Sequence, residues 1–268
     1  MAKLQDLFTQ ARRAQNSGGM GFLGKNKPNT KARSAALVVE FPKFSAGSAE
    51  AVLKAGADGL LFDWDGKASL DALAEDIKAA ASSATTLVVG LNVTGGWDKL
   101  DREQMLNLTE LGINYIILPF NAPARLLGIE TKELEKVITV PMRQGEIYPL
   151  YIRNLVALDG ISAVLLDFDL SSKIGSLTIE DILDYRAVRE AVRFPAFLPV
   201  TGNLNEADAY TINTLGVQAL ILSASDDEEA TRTQVKALRE LLEKTYHDDK
   251  EKDAPSLPGT GRKQSLPQ

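Results

Sequence analysis

Residues 194–225 read FPAFLPVTGNLNEADAYTINTLGVQALILSAS, and this stretch decides the fold. The apolar run AFLPVT (196–201) is too short for a helix and suits a strand buried on both faces. Asn205 then stands where a helix cap belongs, NEADAYTINTLG carries a helical pattern, and Gly216 is placed to stop it. A second apolar run, ALILSAS (219–225), follows. Strand, helix and strand in about thirty residues is the unit from which parallel sheets are built, because parallel neighbours need a crossover connection.

Working outward, the same unit recurs. Further apolar runs are AALVVEF (35–41), GLLFDWD (59–65), TLVVGLNV (86–93), YIILPF (115–120), KVITVPM (136–142) and AVLLDFDL (163–170). Helical patterns lie between several of them. SLDALAEDIKAAA puts Leu70, Leu73 and Ile77 on one stripe after a Ser69 cap. TIEDILDYRAVREAV opens with Thr178 and Asp181 at capping-box spacing and carries Ile179, Ile182, Leu183 and Val188 as its apolar positions. Eight strands alternating with helices in roughly 190 residues predict a closed, parallel eight-stranded (β/α)8 barrel over residues 35–246. An open doubly wound sheet is the alternative, but EFPKFSAGS after the first strand is no nucleotide-binding glycine turn. GLLFDWDGK resembles AVLLDFDLSSK four units later, and LGINYIILPF resembles LGVQALILSAS, as a duplicated half-barrel would.

Two segments flank the barrel. Residues 1–34 pair an amphipathic helix, expected to cap the barrel bottom, with the glycine-rich NSGGMGFLGKNKPNTKAR. Residues 247–268 are polar and rich in Pro and Gly, and are expected to be a disordered tail.

Composition narrows the chemistry. With 44% hydrophobic and 25% charged residues the chain is an ordinary globular one, and 268 residues suffice for one large α/β domain. A net charge of −6 argues against nucleic acid or an anionic membrane as partner. There is no cysteine, and the one histidine, His247, lies in the charged stretch TYHDDKEKD, so thiolate, zinc and Ser-His chemistry are not expected. The start of the chain is charged throughout and no apolar stretch is long enough to span a bilayer, so a cytoplasmic protein is the expectation.

In such a barrel, reactive groups stand at the carboxyl ends of the strands, and the period of two decides which point inward. Leu60, Phe62 and Trp64 form one face of the second strand, and Asp63 and Asp65 lie on the other. The sixth strand repeats this with Val164, Leu166 and Phe168 against Asp167 and Asp169. The bulky faces should meet helices and the acids should meet in the mouth, joined by Glu40. Asn92, Arg143, Lys173 and Thr201 would complete a polar ring for a small-molecule ligand. Such acids could transfer a proton, or Asp63 and Asp167 could hold Mg²⁺; equally, carboxylates at strand ends cap helices and pair with Arg or Lys. No lysine lies inside these runs, Lys136 only opening the fifth, while Lys43, Lys67 and Lys173 are in loops. A Schiff-base mechanism is therefore not expected.

The joints AEAVLKAGADGLLFD and INTLGVQALIL, with the turns Thr201-Gly202-Asn203-Leu204 and Ser223-Ala224-Ser225, resemble the phosphate-binding (β/α)8 (TIM) barrel superfamily, aldolase-type and flavin-type barrels among them. The resemblance covers most of residues 35–225. It implies a phosphate held by Gly202, Asn203, Ser223, Ala224 and Ser225 at a helix amino terminus, and FMN as a candidate cofactor beside Mg²⁺. SGGMGFLG also looks like a flavin-barrel glycine loop, although no strand precedes it here. The chain departs from the pattern at Asn203, where a second glycine is usual, and at Asp226, Asp227, Glu228 and Glu229, which follow the eighth-strand turn. Two functions follow as expectations. One is a lyase, isomerase or flavin-dependent oxidoreductase acting on a phosphorylated or carboxylated metabolite; the other is a barrel without catalysis that serves as a binding or assembly subunit. Self-association is left open.

Overall fold

The computed structural model describes residues 3–12, 31–42, 48–67, 74, 75, 77, 87–143, 145, 147–170 and 174–253. Eight parallel strands close on themselves in sequence order: β1 (Ala36–Phe41), β2 (Gly59–Trp64), β3 (Val88–Val93), β4 (Tyr115–Leu118), β5 (Glu135–Pro141), β6 (Ile161–Asp167), β7 (Ala196–Val200) and β8 (Ala219–Ser223). β8 pairs with β1 from Ala36 opposite Ala219 to Glu40 opposite Ser223. All eight strands fall where the apolar runs predict them, because short Val-, Ile- and Leu-rich segments can be buried on both faces only inside a covered parallel sheet.

The helices are α1 (Lys3–Arg12), α2 (Ser48–Ala55), α3 (Arg102–Glu110), α4 (Ile147–Ile152), α5 (Ile179–Val192), α6 (Glu206–Leu215) and α7 (Glu228–Asp253). The predicted start and stop signals operate as chemistry requires. Thr178 and Asp181 form a reciprocal capping box on α5, Asn205 and Asp208 form another on α6, and Gly216 ends α6 in the left-handed region at φ 68°. Each cap contributes about 1 kcal/mol. The connection from β4 to β5 carries a 3-10 turn, Ala124–Leu126.

Two apolar layers follow from strand alternation. Leu37, Val39, Leu60, Phe62, Trp64, Leu166 and Phe168 pack outward with helix residues such as Val52, Ile212, Val235 and Leu238. Val38, Leu61, Ile117, Val137, Phe197 and Ile221 fill the barrel interior, together with Leu4, Leu7, Phe8 and Ala11 of α1. The first helix thus closes the amino-terminal end of the barrel, as expected. Its backbone at Leu4 donates to Glu135 Oε2 at 2.9 Å, and the Phe8 ring meets Phe197 edge-on with centroids 5.2 Å apart.

α7 runs on to Asp253, into the stretch expected as a tail, and two other details differ from expectation. Ile179 and Leu183 of α5 are exposed at 81% and 63%, whereas Tyr185, Val188 and Val192 make its core face. β6 ends at Asp167 and not at residue 170. The helix predicted from Ser69 lies mostly outside the described residues; of those described within it, Ala74 and Ile77 are buried. The glycine-rich stretch 16–30 and residues 254–268 also lie outside them.

Candidate active site at the barrel mouth

β8, β1, β2 and β3 are consecutive around the barrel, and each carries an inward polar residue at its last or next-to-last position. Asp63 stands opposite Asn92 in the β2–β3 register, and Glu40 opposite Ser223 in the β1–β8 register. Asn92 Nδ2 donates to Asp63 Oδ1 at 2.8 Å and to Glu40 Oε1 at 3.3 Å. Ser223 Oγ donates to the other Glu40 oxygen, Oε2, at 2.5 Å. Two carboxyl groups from neighbouring strands are therefore held together by one amide and one hydroxyl.

Burial is the largest effect on this pair, and it pushes both carboxyls above their usual range. The Ser223 hydroxyl draws Glu40 partly back. The charge of Asp63 and a hydrogen bond between the two carboxyls push Glu40 up, and that same bond favours the ionised form of Asp63. Two like charges this close also resist joint ionisation, so each carboxyl gives up its proton less readily than a free one.

Beneath it lies Tyr115, which sequence reasoning missed. Its ring stacks on Phe197 with centroids 5.6 Å apart, and its buried hydroxyl has no hydrogen-bond partner among the described residues. Burial and the nearby Glu40 raise its pKa far above the ordinary phenol value. Gly90 makes the space for this ring. A glycine inside the strand VVGLNV was the available signal, since strand glycines mark close approach.

On the far side of the mouth, Arg143 follows β5. Its guanidinium lies 5.9 Å from the ring centroids of both Phe120 and Tyr148. No carboxylate pairs with it among the described residues. Tyr148 is fixed in turn by its hydroxyl, which donates to the Pro141 carbonyl at 2.6 Å. The arrangement presents a positioned cation to solvent.

The other sequence-predicted residues separate. Asp65 lies beyond β2 and closes a turn, accepting from Lys67 N at 2.8 Å and pairing with Lys67 Nζ at 3.1 Å. Asp167 ends β6 on the inward period but is exposed across the barrel from the Glu40–Asp63 pair. Asp169 sits past the strand with φ 49°, a left-handed conformation that Asp tolerates and that breaks the alternation. The two Asp-aromatic-Asp tips therefore do not combine into one cluster. Among the described residues no group of three or more histidine, aspartate or glutamate side chains is placed to hold a metal ion. Thr201 is exposed at the end of β7, and Lys173 and Lys43 lie outside the described residues. Lys136 donates to the Leu127 and Ile129 carbonyls at 2.8 and 2.6 Å, at the opposite end of β5 from the mouth.

The expected phosphate cradle is occupied by the chain itself. Ala224 N donates to the Glu40 carbonyl at 2.7 Å, and Ser225 N donates to Thr231 Oγ1 at 3.0 Å. Asn205 N is taken by Asp208 Oδ2 at 2.9 Å. A Cβ at Gly202 would lie 2.4 Å from the Gln234 side chain, so that glycine makes room for a glutamine and not for a ligand. Asn203 is exposed beside it, and Asp226 to Glu229 are exposed just after β8. Of the five residues expected to hold a phosphate, Ala224 and Ser225 thus have their amides engaged within the chain.

No protein-family model matches the chain, and no curated protein matches it. Among solved structures, tryptophan synthase from M. tuberculosis in its aminoacrylate-bound form is similar at 13% identity and a TM-score of 0.62, covering 90% of this chain and 100% of that one. N-(5'-phosphoribosyl)anthranilate isomerase from Pyrococcus furiosus is similar at 17% identity and a TM-score of 0.52, covering 78% and 99%. A cube-shaped protein cage designed by fusing symmetric oligomeric domains shares 16% identity and a TM-score of 0.58, covering 82% and 78%. At such identities the likeness concerns architecture alone, and together with the closed ring of eight parallel strands it makes the chain a (β/α)8 TIM barrel.

Proposed function

We propose that this barrel is an enzyme of the lyase or isomerase kind, moving a proton on a small carboxylated metabolite at its carboxyl-terminal mouth. The observation that carries the reading is the Glu40–Asp63 pair, two half-buried carboxyls held together by Asn92 and Ser223. Such a pair supplies an acid and a base side by side, which is what proton abstraction and return at neighbouring atoms require. Glu40 is the acid and Asp63 the base. Asn92 orients both, and Ser223 fixes the Glu40 carboxyl. Arg143, seated on Phe120 and Tyr148 across the mouth, anchors the substrate carboxylate. Engagement of the Ala224 and Ser225 amides within the chain favours a carboxylate over a phosphate.

A mass-spectrometric survey of small molecules that co-purify with the native protein identifies the substrate class. Turnover of the compound found should then fall by about 10²–10⁴ in Asp63→Asn and Glu40→Gln. Unchanged turnover in both variants overturns the assignment. A second reading, a barrel that only binds or assembles, is favoured by the self-occupied turns after β7 and β8. Saturable turnover that responds to these substitutions excludes it.

A further inference from the structure

α5 is apolar on two sides, and only one of them is used within the chain. Tyr185, Val188 and Val192 face the core, while Ile179 and Leu183 are exposed at 81% and 63%. The neighbouring α4 repeats this. Tyr148 and Ile152 are buried, and Ile147, Leu150 and Tyr151 are exposed at 77%, 59% and 55%. α4 and the 3-10 turn after it (Arg153–Ala157) pack against α5, so these five large side chains belong to one face of the barrel wall. Single exposed apolar residues are ordinary, but monomers rarely expose contiguous apolar patches beyond a few hundred Å². Helices with two apolar faces serve two contacts.

The charges around the patch are divided. The exposed charges beside the patch are Arg153, on the 3-10 turn after α4, and Glu180 and Asp184 on α5, with Asp159 beyond the end of that turn. Arg153, Glu180 and Asp184 have no ion-pair partner among the described residues, although Arg186 on α5 pairs with Glu190 at 2.7 Å. A basic group beside one helix and acidic groups on the next let such a face pair with a copy of itself. A two-fold axis between the helices sets α4 of one molecule against α5 of the other, and each Arg153 then faces an acidic helix.

We infer that this α4–α5 face is the contact through which two copies of the chain form a two-fold dimer, with Ile147, Leu150, Tyr151, Ile179 and Leu183 at its apolar centre. Tyrosine among aliphatic side chains at the middle of a patch, with charge at the edge, is the composition of a binding hot spot. The Glu40–Asp63 pair lies on β1 and β2, across the barrel from this face.

Sedimentation of the full chain over a range of concentrations tests the inference. A monomer–dimer equilibrium is expected, and Leu183→Glu should raise the dissociation constant at least about tenfold with the far-ultraviolet circular dichroism unchanged. Arg153→Glu and Asp184→Arg should each weaken the dimer, and the double variant should restore it, since each reversed charge then meets its opposite in the second copy. A chain that stays monomeric at every concentration, or a dimer that survives Leu183→Glu undiminished, overturns the proposal. Failure of the double variant to recover overturns the pairing of α4 with α5.

Discussion

Gly90 of β3 and Tyr115 of β4 share one volume of the barrel interior: a Cβ on Gly90 would lie 2.2 Å from the Tyr115 ring. The ring cannot retreat easily, because Phe197 stacks on it from β7. Gly90→Ala is therefore expected to destabilise the barrel by about 1–3 kcal/mol through overpacking, read from chemical denaturation. Tyr115→Phe removes a buried hydroxyl that has no partner, and should leave stability unchanged or raise it by about 1 kcal/mol. A clear loss of stability in Tyr115→Phe would reveal a partner for that hydroxyl.

Acid and base in the mouth make stability depend on pH. In the unfolded chain Glu40 and Asp63 ionise near their ordinary values of 4.5 and 3.8; in the folded barrel both ionise at higher pH. The folded state therefore binds the proton more tightly, and this contribution is full at low pH and lost as pH rises above about 4 through the raised folded values. Asp63→Asn removes one of the two charges. Urea denaturation from pH 4 to pH 8 should show the variant gaining on the native protein as pH rises. A difference that stays flat over this range contradicts the upward shift of the two carboxyls.

Arg33 is buried just before β1, and Asp58 is the group that neutralises it. Arg33 Nη2 meets Asp58 Oδ1 at 2.7 Å, and Asp58 Oδ2 accepts from Leu37 N at 2.9 Å, while Nε and Nη1 of the guanidinium have no partner. Asp58→Ala leaves a buried charge uncompensated and should cost about 3 kcal/mol or more. Asp58→Asn keeps an acceptor for the Leu37 amide and should cost less. Thermal melts of the two variants rank them.

Leu7 of α1 is 2% exposed and reaches the floor of the barrel near Gly59. Leu7→Ala opens a cavity between the helix and the strands and should destabilise by about 2–5 kcal/mol. A loss well under 1 kcal/mol would mean that α1 is not a fixed part of the interior.

The strand positions were legible because their signal is local: each run carries its own apolar composition, and Asn205, Thr178 and Gly216 act within a few residues of themselves. Glu40, Asp63 and Asn92 were legible as inward groups because alternation within a strand is local too. Asp65 and Asp169 were misplaced since the period of two holds only as far as the strand does, and a turn ends β2 while a left-handed residue follows β6. α5 misled for another reason. Its apolar residues lie on both sides, and spacing does not say which side the barrel takes. The seat of Arg143, the Gln234 side chain over Gly202 and the amides consumed at Ala224 and Ser225 depend on residues distant in sequence, which no local pattern announces.

Glu40 and Ser223 are 183 positions apart along the chain, yet they share a hydrogen bond across the last join of the ring. Contacts of such separation carry a high loop-closure cost and are slow to form. The chemistry of the mouth and the sealing of the cylinder are consequently one event. Half-length fragments would contain every strand motif and still lack the burial that raises the Glu40 carboxyl. Formation of the Ser223–Glu40 bond during refolding would therefore mark the moment at which the first and eighth strands meet.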